Sequence, residues 1–203
     1  MFTQLFQRHN GNVVKLTRDR LRYEFATSPI ISPFWEDMGP PCSVTARIGN
    51  GEYDPATLGS ALHAVIATKL MGQQATERVL LEYGMENTIS VEAAEESADR
   101  LIATIHEHFI PTTVYNEYPI HYTNDQGQII SGWIDLLVET EDGFILIDHK
   151  ASPRAKSDRE EIALGYSGQL EAYAAGITQA TGKPVINRWI HFAVKGGLVG
   201  VSQ

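Results

Sequence analysis

The chain has 203 residues, 43% hydrophobic and 20% charged, which is typical of a globular domain with one core. Its net charge of −9 argues against a general polyanion-binding surface, although an enzyme with metal-binding acids remains compatible with it. The single cysteine, Cys42, excludes a disulfide framework or a cysteine-ligated iron–sulfur or zinc site within the chain. We expect no membrane span and a cytoplasmic location, because long apolar runs and a signal-peptide centre are missing.

The chain falls into an N-terminal segment of weak periodicity and a strongly patterned remainder. Residues 1–56 are dense in Pro and Gly, and we expect an irregular arm there, followed by one domain over residues 57–203. Apolar spacing predicts helices at 57–70, 73–83, 91–109 and 165–181. Alternating and apolar runs predict strands at 114–123, 128–139, 144–150 and 185–194, and a polar loop spans 151–161. This order predicts an α/β fold in which a helix, a three-strand antiparallel meander, a helix and a strand form the core, with additional helices.

Charged residues stand at the ends of the second and third strands of this meander. Asp135 interrupts the apolar run GWIDLLV, and Asp148 and Lys150 end the run FILIDHK. The spacing places Asp135 and Asp148 level across the strand pair, and Asp148 and Lys150 on one face of their strand. Two carboxylates so placed suit Mg²⁺ or Mn²⁺. An Asp-x-Lys at a strand end is often only a solvated edge, but Asp135 within an apolar strand favours a site.

The histidines give weaker evidence for a metal site. His149 should point away from Asp148 and Lys150, which leaves its backbone carbonyl as a candidate metal ligand. His63 lies beside the apolar face of the first helix, where an ordinary partly solvated histidine is the alternative interpretation. No role is assigned to the others considered, namely His106, His108, His121 and His191.

Five blocks together resemble the PD-(D/E)xK nucleases, most closely the RecB/AddA-type domain at the C-terminus of bacterial helicase–nucleases. They are LGSALH (58–63), NEYPI (116–120), GWIDLLV (132–138), ILIDHK (145–150) and YSGQLEAY (166–173). The resemblance implies a restriction-endonuclease-like core. The chain departs from the family at two positions, with His149 where an aromatic residue is frequent and Ala151 where Thr or Ser is frequent.

The resemblance also implies roles for individual residues. Metal ligands would be His63, Asp135, Asp148 and the His149 carbonyl, with Glu117 as an additional acid. Lys150 would position or activate the attacking water. Gln169 and Tyr173 match the QxxxY motif and share a helix face that could reach DNA or Lys150, or could be an ordinary half-buried face. The nearby residues Arg154, Lys156 and Arg159 either contact DNA or belong to a solvated loop, with neither interpretation favoured.

The function implied is a Mg²⁺- or Mn²⁺-dependent deoxyribonuclease. It would act, as an exonuclease, on DNA ends or single strands in double-strand-break processing and recombinational repair, and its partner would be a helicase domain or subunit. The sequence contains neither the cysteines of iron–sulfur relatives nor a GxxxxGK[ST] nucleotide-binding loop, so we expect a motor elsewhere. The alternatives are a non-catalytic nuclease-fold module that binds DNA ends or a helicase subunit, and an enzyme with the same chemistry on RNA.

Overall fold

The computed structural model describes residues 5–9, 12–16, 30–36, 54–151, 158–194 and 196–202, and within them a three-layer α/β arrangement. The described strands are β1 (Leu5–His9), β2 (Asn12–Leu16), β3 (Ile30–Glu36), β4 (Thr113–Thr123), β5 (Ile129–Glu139), β6 (Phe144–Lys150), β7 (Val185–Phe192) and β8 (Leu198–Ser202). The described helices are α1 (Pro55–Leu70), α2 (Thr76–Glu82), α3 (Val91–Phe109) and α4 (Arg159–Thr181).

All eight of these strands belong to one mixed sheet. Its order is β2-β1-β5-β6-β7-β8-β3, and β4 also pairs with β5. Strands β4, β5 and β6 form the predicted antiparallel meander, and α4 then carries the chain across to β7, which pairs parallel to β6. The predicted order of helix, meander, helix and strand is therefore confirmed.

Apolar side chains cover both faces of the central strands. One cluster joins α1, α2 and α3 to the face of the sheet that carries Leu136, Ile145 and Ile147. A second cluster joins α4 to the opposite face, through Leu137 and Leu146 among others. Burial on both faces explains why β6 reads as a continuous apolar run rather than an alternating one.

Four strands of the structure were not predicted from the sequence. β1, β2 and β3 lie within residues 1–56, where we expected an irregular arm, and they lie towards the two ends of the sheet. β3 contains Pro33 and shows a register shift between Ile31 and Trp35, as expected of an edge strand that contains proline. A fourth unpredicted strand, β8, follows β7 as an antiparallel hairpin.

Helix boundaries differ from the predictions by a few residues. α1 begins at Pro55 because the Asp54 carboxylate accepts hydrogen bonds from the amides of Ala56 and Thr57, and Pro55 occupies the first turn. α4 begins at Arg159, inside the segment predicted as a polar loop, and ends where Gly182 adopts the left-handed conformation. Within the described part of the chain, no helix combines the length and apolar character needed to cross a membrane.

Candidate metal centre and active site

The two predicted acids of the meander lie directly beyond the end of the β5–β6 ladder. The ladder ends at the pair Leu136 and Ile147, and Asp135 and Asp148 are the next residues on the two strands. Both carboxylates are buried, with residue exposures of 7% for Asp135 and 3% for Asp148. The amide of His149 donates a hydrogen bond of 2.7 Å to Asp135 Oδ2. Each of these buried carboxylates needs partners, because unpaired buried charge is costly.

Strand β4 is distorted beside Asp135. The β4–β5 pairing runs without a register shift, but the pair that would join Glu117 to Asp135 is missing from the ladder. Glu117 has a positive φ of 50°, which is rare for a residue with a side chain. Such backbone strain is commonly found at functional sites.

Helix α1 brings His63 to the same place. A Cβ at Gly59 would lie 3.0 Å from the Cβ of Ala151, so glycine permits a close approach of α1 to the end of β6. His63 is one turn further along the same helix face. Its Nε2 atom lies 3.9 Å from Asp135 Oδ2, and its side chain is 17% exposed.

His63, Glu117 and Asp135 form a group that fits a divalent cation. One ligand atom from each lies within 4.8 Å of the other two. Two carboxylates and an imidazole suit Mn²⁺, and the carboxylates suit Mg²⁺. Burial lowers the pKa of His63, opposed by the Asp135 carboxylate, while burial and then the charge of Asp135 raise the pKa of Glu117.

Asp148 is not part of this three-residue group, although the predicted set of metal ligands included it. Gln169 Nε2 donates to Asp148 Oδ1 at 3.1 Å, and Lys150 Nζ makes an ion pair with Oδ2 of the same carboxylate. Lys150 also lies over the ring of Tyr166, 4.2 Å from its centroid. Burial opposes the charge on Lys150, but Asp148 and Asp135 outweigh burial and raise its pKa. Tyr166 had no role assigned from the sequence, although it begins the YSGQLEAY block.

Gln169 and Tyr173 are buried on the sheet-facing side of α4. Gln169 Nε2 lies 3.4 Å from the Tyr173 hydroxyl, in addition to its bond to Asp148. A Cβ at Gly132 would lie 2.5 Å from that hydroxyl, so β5 needs glycine where the tyrosine packs. Burial, followed by the charges of Asp148 and Asp135, raises the pKa of Tyr173. Gln169 therefore contacts Asp148 directly, Tyr173 contacts Gln169, and both side chains are buried.

Two further histidines, His149 and His191, pack beside the three-residue group. The sequence analysis assigned no role to either side chain. His149 points away from Asp148 and Lys150, as predicted, and its ring packs edge-on against His63 with 4.8 Å between centroids. His149 Nδ1 lies 2.9 Å from Nδ1 of His191 on β7. The signal for His191 was present in the sequence: a polar residue within the apolar strand VINRWIHFAV, the pattern that had singled out Asp135.

Of the three basic residues considered for DNA contact, Arg159 alone lies within the described part of the chain. Arg154 and Lys156 lie outside the described residues. Arg159 is buried at 4% exposure, donates to the carbonyl of Gly196 at 3.1 Å and lies over the ring of Phe192. Its side chain therefore ties the start of α4 to the end of the sheet, which corrects the expectation of a solvent-facing contact.

His106, His108 and His121 are not part of the group of His63, Glu117 and Asp135. His106 and His108 are exposed in the last turn of α3, and His121 Nδ1 lies 2.5 Å from the hydroxyl of Ser131 on the neighbouring strand.

The fold and this site define a nuclease-type domain. Residues 43–199 match the model of the PD-(D/E)XK nuclease superfamily, and the chain belongs to that family. The resemblance identified in the sequence is therefore confirmed.

Part of the chain is also similar to one kind of protein within several bacteria. The chain is similar to an ATP-dependent helicase/nuclease subunit of a Thermoanaerobacter species, 34% identical over 86 residues, which is 42% of this chain and 7% of that protein. The corresponding protein of Desulforamulus reducens is 36% identical over 90 residues, 44% of this chain and 7% of that protein. For Clostridium novyi the identity is 31% over 80 residues, 39% of this chain and 6% of that protein. The chain thus matches a small part of these much longer relatives.

Proposed function

We propose that this chain is a metal-dependent DNA nuclease, a phosphodiester hydrolase that uses Mg²⁺ or Mn²⁺. The observation that carries the proposal is the approach of His63, Glu117 and Asp135 donor atoms to within 4.8 Å, beside the paired Asp148 and Lys150. A divalent cation bound there would neutralise the scissile phosphate and lower the pKa of a bound water.

The protein's own residues would each have a separate task. His63, Glu117 and Asp135 would hold the cation, with the His149 carbonyl and Asp148 as further oxygen ligands. Lys150 would align or activate the attacking water and offset charge that develops on the phosphate. Gln169, through its bond to Asp148 Oδ1, would keep that carboxylate in one orientation.

We propose single-stranded DNA or DNA ends as the substrate. The net charge of −9 provides no broad positive track for duplex DNA. Trp133 lies on β5 two residues before Asp135, and its side chain is 53% exposed. An exposed indole beside the metal group suits an unpaired base, because stacking of a base on an aromatic ring contributes about 1–3 kcal/mol. A duplex offers its base faces only where its strands separate.

The relatives are helicase/nuclease subunits, which suggests the biological setting. We propose that the chain works with a helicase domain or subunit in the processing of double-strand breaks for recombinational repair. That work on DNA would agree with the cytoplasmic location expected from the sequence. Exonuclease action would follow if a motor feeds a DNA end to the site.

The test is cleavage of labelled single-stranded DNA, blunt duplex DNA and a matched RNA oligonucleotide, in EDTA, Mg²⁺ or Mn²⁺. We expect cutting of DNA only with metal, and its loss in Lys150→Ala and Glu117→Gln. Lys183→Ala is the matched control, because Lys183 pairs with Glu139 and lies over the ring of Phe144, at the opposite end of β6 from Asp148 and Lys150.

The other outcomes identify the alternatives. DNA binding without cutting under any condition would support the non-catalytic module, and preferential cutting of RNA would support the RNA enzyme. Full activity of Lys150→Ala would contradict the proposed role of the lysine.

A further inference from the structure

Two buried histidines form a pair directly behind the candidate metal group. His149 on β6 and His191 on β7 are partners in the parallel ladder, and their rings lie 4.9 Å apart at an angle of 78°. Their Nδ1 atoms are 2.9 Å apart. His149 is 3% exposed and His191 is fully buried, so the polar contact is shielded from water.

The distance between the Nδ1 atoms requires complementary tautomers. Two protonated Nδ1 atoms would repel each other at this distance, so at most one of them carries a proton. A neutral imidazole carries one N–H, so one Nδ1 donates and the other accepts. Among the described residues, neither Nε2 atom has a hydrogen-bond partner, and the bond between the Nδ1 atoms therefore fixes how both rings are turned.

His149 contacts the metal group through its ring and through its backbone, and the backbone also forms a hydrogen bond with the His63 side chain. Its ring packs edge-on against the ring of His63, with 4.8 Å between centroids and 70° between planes. Its amide donates to Asp135 Oδ2 at 2.7 Å. Rotation of the His149 ring would therefore alter the surface against which His63 rests.

We propose that the His149–His191 pair positions His63, so that His191, which lies outside the metal group, sets the orientation of the metal-binding imidazole. The inference rests on the proposed function in so far as it takes His63 as a metal ligand. Outer partners that orient ligating histidines affect metal affinity by about 10-fold to 100-fold. An apolar pair would fill the same space without leaving buried polar atoms, so a positioning role explains why polar rings occupy it.

The test compares three substitutions of His191. Asparagine places its amide at the position of Nδ1, glutamine places it one bond further out, and leucine removes it. We expect His191→Asn to retain Mn²⁺ affinity within about 2-fold, and His191→Gln and His191→Leu to weaken it by about 10-fold or more. Affinity is measured by calorimetric titration with MnCl₂, at a temperature where circular dichroism shows each variant folded.

A second readout needs no metal and no cleavage. The imidazole ¹⁵N resonances of His63 report its tautomer and ring orientation in the metal-free protein, and we expect them to change in His191→Gln and His191→Leu but not in His191→Asn. Tyr122→Phe is the matched control, because it also removes one hydrogen bond, from the Tyr122 hydroxyl to the Ala172 carbonyl, away from His63.

The outcomes separate this inference from the proposed function. Unchanged His63 resonances and Mn²⁺ affinity in His191→Gln, with or without a lower Tm, would overturn the positioning role. If the unmodified chain binds no Mn²⁺, the proposed function fails at its metal step, whereas the ¹⁵N resonances still decide the positioning role. If His191→Leu does not fold, the comparison of the asparagine and glutamine variants decides it.

Discussion

Replacement of Gln169 by leucine tests whether the buried amide supports the acid cluster. Gln169 donates to Asp148 Oδ1 at 3.1 Å, and both residues are less than 5% exposed. A hydrogen bond to a charged group contributes about 1.5–3 kcal/mol, and no discount for solvent screening applies to a buried pair. Leucine fills a similar volume, so little cavity cost is added. We expect Gln169→Leu to lower the free energy of unfolding by about 2 kcal/mol.

The expected change is large enough to measure by thermal unfolding. For a domain of about 200 residues, 1 kcal/mol shifts Tm by about 2–4 °C, so we expect a fall of about 4–8 °C. Gln179→Leu is the matched control. Gln179 also lies on α4, but its hydrogen bond to the Thr123 carbonyl is exposed, so the Tm of this variant should hardly change. Gln169→Glu would set a second carboxyl beside Asp148 and should be at least as damaging.

Cleavage assays on the same variants test the functional role of this hydrogen bond. We expect both Gln169 variants to cut DNA more slowly than the Gln179 control, because Asp148 loses a fixed orientation. An unchanged Tm together with an unchanged cleavage rate in Gln169→Leu would refute the reasoning, since the hydrogen bond would then contribute to neither stability nor the site.

Three further changes address the substrate, the packing and the pH dependence. Trp133→Ala should raise KM for single-stranded DNA more than Trp133→Phe does, and an equal KM in both, measured on oligonucleotides, would contradict stacking of a base on this ring. Gly132→Ala should lower stability by about 1–3 kcal/mol in denaturant unfolding, because its methyl group would overlap the Tyr173 hydroxyl, and a neutral result would show that the ring can move. Burial raises the pKa of Tyr122 to about 12, so the folded state keeps its proton where the unfolded state loses it. Stability should therefore fall between pH 10 and pH 12, and less so in Tyr122→Phe, which unfolding curves across that range would check.

Local pattern was sufficient to predict the central elements. The apolar spacing of α1 and α3 and the turn sequences between β4, β5 and β6 encode those elements within a few residues each. The meander then places Asp135 and Asp148 directly beyond the last pair of the β5–β6 ladder. Strands β3 and β8, at one end of the sheet, could not be predicted in this way. β3 contains a proline and a register shift, and β8 is short and contains glycine, so neither shows a sustained alternation.

The parts of the site that depend on long-range geometry could not be predicted from local sequence patterns either. His191 meets His149 only because α4 returns the chain to a strand parallel to β6, in a register that no local pattern specifies. The approach of Glu117 to His63 and Asp135 depends on a local backbone distortion in an otherwise regular strand. The family resemblance grouped Glu117 with His63 and Asp135, but nothing in the sequence determined the partner of His191.

The left-handed backbone conformation at Glu117 lowers stability, whereas its side chain supplies a donor atom to the candidate metal site. A residue with a side chain costs about 1–2 kcal/mol in this conformation, whereas glycine adopts it freely. Selection for thermostability alone would therefore favour glycine at position 117, and it would remove one of the three ligand atoms of the metal group. Under the proposed function, metal binding by the Glu117 carboxylate would offset the cost of this conformation.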